Sequence, residues 1–457
     1  MSVKSTGTTF GNDGKIRFRV VLELTPIVNV ENRLRQDIDK IRALFAASLI
    51  WLLSGTPVQI IGIGGDAWFV LGLLLQLLIC VRSEVRSAWA GVPLACAALL
   101  YSCWAAVAST VGIPGQFIGL SGQIIKISIV LLPMIFVTGF RIGLVRSMAI
   151  ICKIALIIFG IRQLVLMAGF DIANLFQPLY DFTGIANDRT IFLFNFDIPE
   201  EAGRNSGPFR EPGMFAANIV IATLLLLSLK DELTFPKIRQ LLILFGVTLL
   251  TTMSTMGLAT VPFLGLWALP FFIQRPAIRL LMVPCLIIAG IGLITVGGRE
   301  QIEKVQQQIG RVETQDNRWY SSRFGNAYID YAAILDRPLL GYGFSEEGRP
   351  NLLNIRDDVR EAGLGNGLTG TIVKHGLVFS ISLYILFLLC GFRLYGSILL
   401  GLVSWLVFGI ILFSQQLLLM PAAFTLIGYY NDRRRIARQT ALPGSEDRVS
   451  LTQDGAA

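Results

Sequence analysis

Hydrophobic positions along this chain fall in long unbroken runs, not in the alternation that marks a half-buried strand. Runs of that length are what a bilayer demands, and they recur through most of the sequence. Placed by length and by the charges that bound them, they predict spans at roughly 43–62, 67–81, 88–109, 124–140, 147–169, 213–229, 240–254, 257–273, 279–297, 366–392, 395–412 and 414–430. The two runs that meet at Thr251–Ala259 read either as a pair of helices or as one broken helix.

The polar gaps between the runs orient the chain. Lys4, Lys15, Arg17, Arg19, Arg33 and Arg35 precede the first run, and every second connection after it is short and basic. Arg82 with Arg86, Arg141 with Arg146, Lys230 with Lys237, Arg275 with Arg279, Arg393, and Asp432–Arg435 form that series. The alternate connections, such as Thr110–Gln123, carry almost no Lys or Arg. The expected fold class is therefore an all-α polytopic membrane protein of about twelve transmembrane helices with both termini cytoplasmic. Residues 1–42 are expected to form a cytoplasmic N-terminal segment, 43–430 the transmembrane domain, and 431–457 a disordered polar tail.

Two connections on the outer side are large, at about 170–212 and 298–365. Aromatic and apolar residues such as Phe176, Tyr180, Phe182 and Phe192 punctuate the first. The second opens with Arg299–Gly310, where Ile302, Val305 and Ile309 recur at helical spacing and predict an amphipathic helix for the membrane interface. An apolar helical stretch follows from Ala327 to Leu335, then a turn from Arg337 to Phe344 and a very polar section to Gly365.

Composition narrows the class further. The 457 residues are 53% hydrophobic and 15% charged, far from the soluble average. The net charge of +8 is accounted for by the cytoplasmic bias, so it points to anionic lipid headgroups and not to nucleic acid. Six cysteines lie inside apolar runs without metal-type spacing and read as small buried hydrophobes. His375 is the only histidine, which removes sites built on two. No metal site, no cofactor and no cleavable leader are expected.

Candidate chemistry concentrates at the lip of the sixth run. Arg204, Arg210 and Glu211 are set among Gly207, Pro208, Pro212 and Gly213, a rigid polar turn suited to holding an anion. Arg204 and Arg210 read either as anion ligands or as partners of Glu200, Glu201 or Glu211. Glu211 reads either as a base or as a carboxylate favoured by the helix dipole. In the second large loop, Arg318, Arg323 and Arg337 are either anion ligands or solvated charges, and Asn366 either a ligand or an N-cap. Arg162 lies near the middle of its expected span, where an unpaired charge costs at least ~2.5–3.5 kcal/mol. That position marks either a substrate cavity or a structural pairing. Lys374 and His375 are expected some eight or nine residues below the outer end of their span, ~12–14 Å down. There they face an aqueous cleft, or, for the histidine, pack in the interior.

Three stretches resemble the Wzy-type polymerases of O-antigen and exopolysaccharide and, more loosely, the O-antigen ligase superfamily. They are Arg204-Asn-Ser-Gly-Pro-Phe-Arg-Glu-Pro-Gly213, then Ser322-Arg323-Phe with Asp336-Arg-Pro-Leu-Leu-Gly-Tyr-Gly343, and Gly365-Asn366-Gly-Leu ahead of Gly376-Leu-Val. The resemblance covers about Phe170 to Leu389 and rests on the order and loop placement of the motifs. Gly365 stands where the ligases typically carry a histidine, a departure that favours the polymerase.

The resemblance implies a GT-C-like, metal-independent glycosyltransferase of the bacterial inner membrane with two large periplasmic loops. It would join glycans carried on polyprenyl diphosphates, a donor and an acceptor, with a chain-length regulator as a possible partner. A diphosphate gains charge as it leaves the anomeric carbon, and a guanidinium grips such oxygens in a bidentate manner. Arg210, Glu211, Arg204 and Arg323 are the expected catalytic residues. Arg318, Arg337, Asn366, Arg162, His375 and Lys374 are the expected substrate contacts. A ligase that moves finished polymer to lipid A core is the alternative, and a polysaccharide transporter the third. A transporter would more often show matching halves or paired discontinuous helices.

Overall fold

The structure, a computed structural model, describes residues 9–10, 16–17, 25–54, 65–81, 91–113, 116–169, 190–191, 194–195, 203–209, 211–273, 323–344, 367–415 and 420–427, with isolated positions between 275 and 306. Its helices are α1 (Thr25–Leu52), α2 (Gly65–Cys80), α3 (Val92–Thr110), α4 (Gln116–Phe136) and α5 (Phe140–Met167). They continue with α6 (Pro212–Ser228), α7 (Phe235–Thr251), α8 (Thr255–Phe272), α9 (Arg323–Asp336), α10 (Gly367–Tyr395), α11 (Ile398–Ser414) and α12 (Pro421–Phe424). Two antiparallel two-residue ladders, Thr9–Phe10 with Ile16–Arg17 and Thr190–Ile191 with Phe194–Asn195, are the only strands among the described residues. Five of the described helices (α3, α4, α5, α8 and α10) are long and apolar enough to cross a bilayer. The protein is a multi-pass helical membrane protein.

Packing follows from which faces are small. Gly143 of α5 lies so close to α1 that a Cβ there would stand 2.5 Å from the Ala43 carbonyl oxygen. That contact is the close approach small residues permit in lipid. The Trp51 indole donates to the Leu144 carbonyl at 3.0 Å and Gln76 of α2 to the Ala46 carbonyl at 2.9 Å, which fastens α1 to both neighbours. Helix α6 is buried along nearly its whole length and forms the centre of the bundle. Stripes such as Ile157, Ile161 and Leu164 on α5 stay exposed and face lipid.

Several boundaries move, each for a local reason. Helix α1 begins at Thr25 and runs unbroken into the first span, so the segment before 43 is in large part helical. Asp37 and Lys40, one turn apart, pair at 2.8 Å on its exposed face. Helices α4 and α5 both start earlier than expected; α5 does so because the reversal before it is made by Gly139 in the left-handed conformation at φ 70°. Arg141 and Arg146 therefore lie within α5. Arg141 is buried and grips Glu232 and Ser228 at 2.9 Å each, which ties α5 to the turn after α6. Two helices, not one broken one, flank Thr251–Ala259: α7 ends at Thr251 and α8 starts after the Ser254 N-cap.

The last expected span is corrected. At the end of α11 Gln415 is extended, Met420 is extended again, and α12 is a buried four-residue turn. Pro421 lacks an N–H and pushes the residue before it out of the helical region, so the described residues of 414–430 do not form one helix. The span expected at 279–297 lies almost wholly outside the described residues, as does the tail from 428 onward. Of the six cysteines, Cys96 and Cys103 are exposed, whereas Cys80, Cys152 and Cys390 are buried as expected.

Candidate functional site

Residues 203–209 form a turn ahead of α6 that is buried from Asn205 to Phe209. Asn205 builds it: its side-chain oxygen accepts from the Gly207 N–H at 3.0 Å, while its amide nitrogen donates to the Thr251 hydroxyl at 3.0 Å. The Asn205 backbone N–H also donates to the Thr251 carbonyl at 2.9 Å. Gly207 sits at φ 53°, and a Cβ there would meet the Phe215 ring at 2.7 Å. Phe209 stacks on that ring at 5.3 Å, and Pro212 opens α6 where a missing N–H is harmless.

Two guanidinium groups converge on this turn. Arg204 donates through Nε to the Thr252 carbonyl at 3.3 Å, and Arg162 donates to the Arg204 carbonyl at 3.5 Å. Helix α5 ends at Met167, so Arg162 lies in its last turns and not at mid-span. It is buried, with 6% of its surface exposed, and it sits at the lip. Arg204 meets the C-terminus of α7 through Thr252, two residues before the Ser254 N-cap of α8, and the turn leads on into α6. Glu211 takes the N-cap position of α6 in an extended conformation with no side-chain cap. It is exposed. Arg210, Arg318 and Asn366 lie outside the described residues. Of Arg323, which opens α9, only the backbone is described.

A second cluster forms where helix α10 is broken. Gly376 has φ 78° and ψ 172°, outside any helix. The Tyr384 hydroxyl donates to the Leu368 carbonyl at 3.1 Å although the two are 16 residues apart. In a continuous helix those residues would stand about 24 Å apart, beyond the reach of one tyrosine. The halves 367–375 and 377–395 therefore fold back on one another at Gly376. Only the second half spans, about 27 Å long at 1.5 Å per residue.

The turn 337–344 closes the break. Tyr342 and Gly343 donate their N–H groups to the Val373 and Lys374 carbonyls at 2.8 Å, and the Leu377 N–H donates to the Pro338 carbonyl at 2.7 Å. These are the groups an interrupted helix leaves unsatisfied, and the turn supplies all three partners. The Trp104 indole donates to the Leu340 carbonyl at 3.2 Å, and Phe344 lies against Gly119 of α4.

The fold-back relocates two candidates. Lys374 and His375 stand at the vertex, not two turns down a straight span, and His375 is boxed by Tyr101, Trp104, Phe344 and Phe379. With 1% exposure this histidine faces no cleft, which corrects that expectation for it. Arg337 lies over the Tyr342 ring at 4.9 Å. Arg162 and Arg204 thus come together at the lip, while Arg337, Lys374 and His375 gather at the break.

Compared with known proteins, the chain matches no family model and no curated protein.

One buried charge, Asp330, falls outside every sequence motif. This residue of α9 is fully buried and accepts from the Thr369 hydroxyl at 2.6 Å, which joins α9 to the first half of α10. A signal was present, since Asp330 is the only charged residue from Ala327 to Leu335. Thr251 and Thr252, the other half of the lip, offered no such signal, because two threonines before a turn are unremarkable in sequence.

The break carries a pH-dependent prediction. Burial first, then the hydrogen bond to Asp336, raises the Tyr342 phenol above its ordinary value of 10.0. A group whose pKa is raised on folding contributes fully below its unfolded value and loses that contribution as pH rises through the folded one. Tyr342→Phe should therefore cost about 1 kcal/mol of stability. The gap should hold steady from about pH 7 to the ordinary phenol value and narrow above it. Thermal unfolding of the two proteins in detergent across that range checks this, and a gap that closes in neutral solution contradicts it.

Proposed function

We propose that this protein is a Wzy-type polymerase that joins polyprenyl-diphosphate-linked glycan repeat units at the periplasmic face of a bacterial inner membrane. The reading supposes about twelve spans with a cytoplasmic N-terminus. The observation that supports it best is the lip turn, where Arg162 and Arg204 meet in the buried turn that leads into α6. A diphosphate carried at the membrane surface is the kind of anion such a cradle suits.

In the proposed reaction a hydroxyl oxygen of the acceptor repeat attacks the anomeric carbon of the donor. The bond from that carbon to the diphosphate oxygen breaks, and the departing diphosphate keeps the electron pair. Arg204 and Arg210 meet the charge that grows on this oxygen, and Arg162 holds the turn that carries Arg204. The acceptor's proton passes to Glu211 or to water at the exposed lip. Arg323 and Arg337 are assigned to the glycan or the second diphosphate.

The ligase is the alternative reading. The third is a transporter, which the broken helix favours, since many transporters build substrate sites from helices interrupted inside the membrane. One genetic experiment with a biochemical readout separates the three. Loss of a polymerase leaves surface glycolipid capped by a single repeat unit. Loss of a ligase leaves bare core while polymer accumulates on its lipid carrier, and loss of a transporter leaves single repeat units stranded on the carrier at the cytoplasmic face. The first pattern is expected, and either of the others overturns the proposal.

A further inference from the structure

The middle of helix α9 has its polarity turned inside out, although its last residue, Asp336, is exposed. From Ala327 to Leu335 its one charged side chain, Asp330, is 0% exposed and bonded to Thr369, and Asn326 is also buried. The outward stripe is Tyr328, Tyr331, Leu335 and Leu339, which are 53%, 60%, 64% and 64% exposed. In water such a helix would turn over, because burying the apolar stripe and wetting the carboxylate both lower the free energy. Surrounded by hydrocarbon, the arrangement is the stable one. Large apolar side chains then meet lipid, and the ionisable group faces the protein with a partner.

The stripe is also continuous with surface that meets lipid for independent reasons. The Leu377 N–H bonds to the Pro338 carbonyl, which sets Leu339 beside Val378 at the head of the spanning half of α10. Val378, Ile381, Ile385 and Leu389 carry the exposed apolar face on down that half. At the junction Asp336 and Arg337 are exposed, and both are engaged by Tyr342: Asp336 accepts from its hydroxyl and Arg337 lies over its ring. The first half of α10, packed between α9 and the spanning half, has its broken end satisfied by the turn 337–344, as backbone at membrane depth requires.

We infer that α9 and residues 367–375 form a shelf embedded in the outer leaflet, and that the partner of the Tyr328–Leu339 stripe is the acyl-chain region of bilayer lipid. The second large loop would then dip into the membrane at α9 as well as meeting the interface at the amphipathic stretch Arg299–Gly310 expected from the sequence. Its two tyrosines place amphipathic rings at the headgroup boundary, the depth they favour. The inference holds whether the chain polymerises, ligates or transports.

Nitroxide labels test it in full-length protein reconstituted in phosphatidylcholine–phosphatidylglycerol nanodiscs. Single cysteines in a cysteine-free background at 331, 335 and 339 are compared with 381 as the lipid reference and 230 as the aqueous one. Relaxation by oxygen, which partitions into lipid, is expected to exceed relaxation by a water-soluble nickel chelate several-fold at 331, 335 and 339, as at 381. If one label disturbs folding, the other two carry the measurement. Chelate relaxation at all three sites matching site 230 would place the stripe in water and overturn the shelf.

Discussion

Arg210→Lys and Arg204→Lys should each slow polymerisation by ~10²–10³-fold, the usual loss when one preorganised donor to a developing oxyanion is removed. Charge is retained in both variants, so the loss would come from geometry: an ammonium is a point charge, and a guanidinium presents two parallel donors in one plane. The effect should fall on the chemical step, because the bridging oxygen gains charge only as the diphosphate departs. Arg204 has a further tie, its bond to the Thr252 carbonyl at 3.3 Å, which a lysine can reach but not hold in the same plane. Arg162→Lys should instead weaken lipid-substrate binding, since that side chain holds the Arg204 carbonyl from below. The assay uses purified protein with synthetic polyprenyl-diphosphate repeat units, with and without excess chelator. Wild-type rates in both lysine variants, or activity lost to chelation and restored by magnesium, would show that the leaving-group chemistry is assigned wrongly.

The largest effect on stability should come from Gly376→Ala. A Cβ at this position would stand 2.0 Å from the Leu339 carbonyl oxygen, and the backbone sits at φ 78°. Backbone at φ 78° and ψ 172° is open essentially only to glycine and alone costs roughly 1–3 kcal/mol for a residue with a Cβ. Relieving the clash means moving the turn 337–344 away from the carbonyls of Val373 and Lys374, so those polar groups lose partners as well. Together these put the loss on the order of 3–4 kcal/mol. Gly409→Ala is the control: nothing lies within 4 Å of its Cβ position inside a regular stretch of α11. That variant should be neutral or gain ~0.5–1 kcal/mol. Thermal unfolding in detergent measures both, and a Gly376→Ala protein that melts with the wild type would mean that the fold-back does not depend on this glycine.

Much of the bundle was legible because lipid imposes a simple rule. Helices α2, α3, α6, α7, α8 and α11 fall within a few residues of the expected runs, since transfer of apolar side chains out of water is local and nearly additive. The lip motif was legible for a different reason. Asn205, Gly207 and Pro212 are residue types that make one kind of turn almost wherever they occur. Expectations went astray where position depended on a neighbour. Arg162 lies past mid-span because α5 begins at Phe140, so that Arg141 and Arg146, which pattern like loop charges, are inside the helix. Arg141 is accommodated in α5 by Glu232 and Ser228, both far along the chain. Met420 and Pro421 were a local signal against a last continuous span, outweighed in the reading by the apolar residues around them.

The sequence by itself determined that this is a multi-pass helical membrane protein, where most of its helices lie, and that an arginine-rich turn stands at the lip of α6. Hydropathy and turn propensity are properties of a few adjacent residues, so they can be read without the fold. Only the tertiary structure decided that α10 doubles back at Gly376, that Asp330 points inward, and that His375 is sealed in an aromatic box. A run of apolar residues is equally apolar whether it crosses the membrane or turns round inside it. The choice rests on whether partners arrive for the broken helix's N–H and C=O groups. Those partners come from Pro338, Tyr342 and Gly343, about a turn of chain that meets Gly376 only after folding.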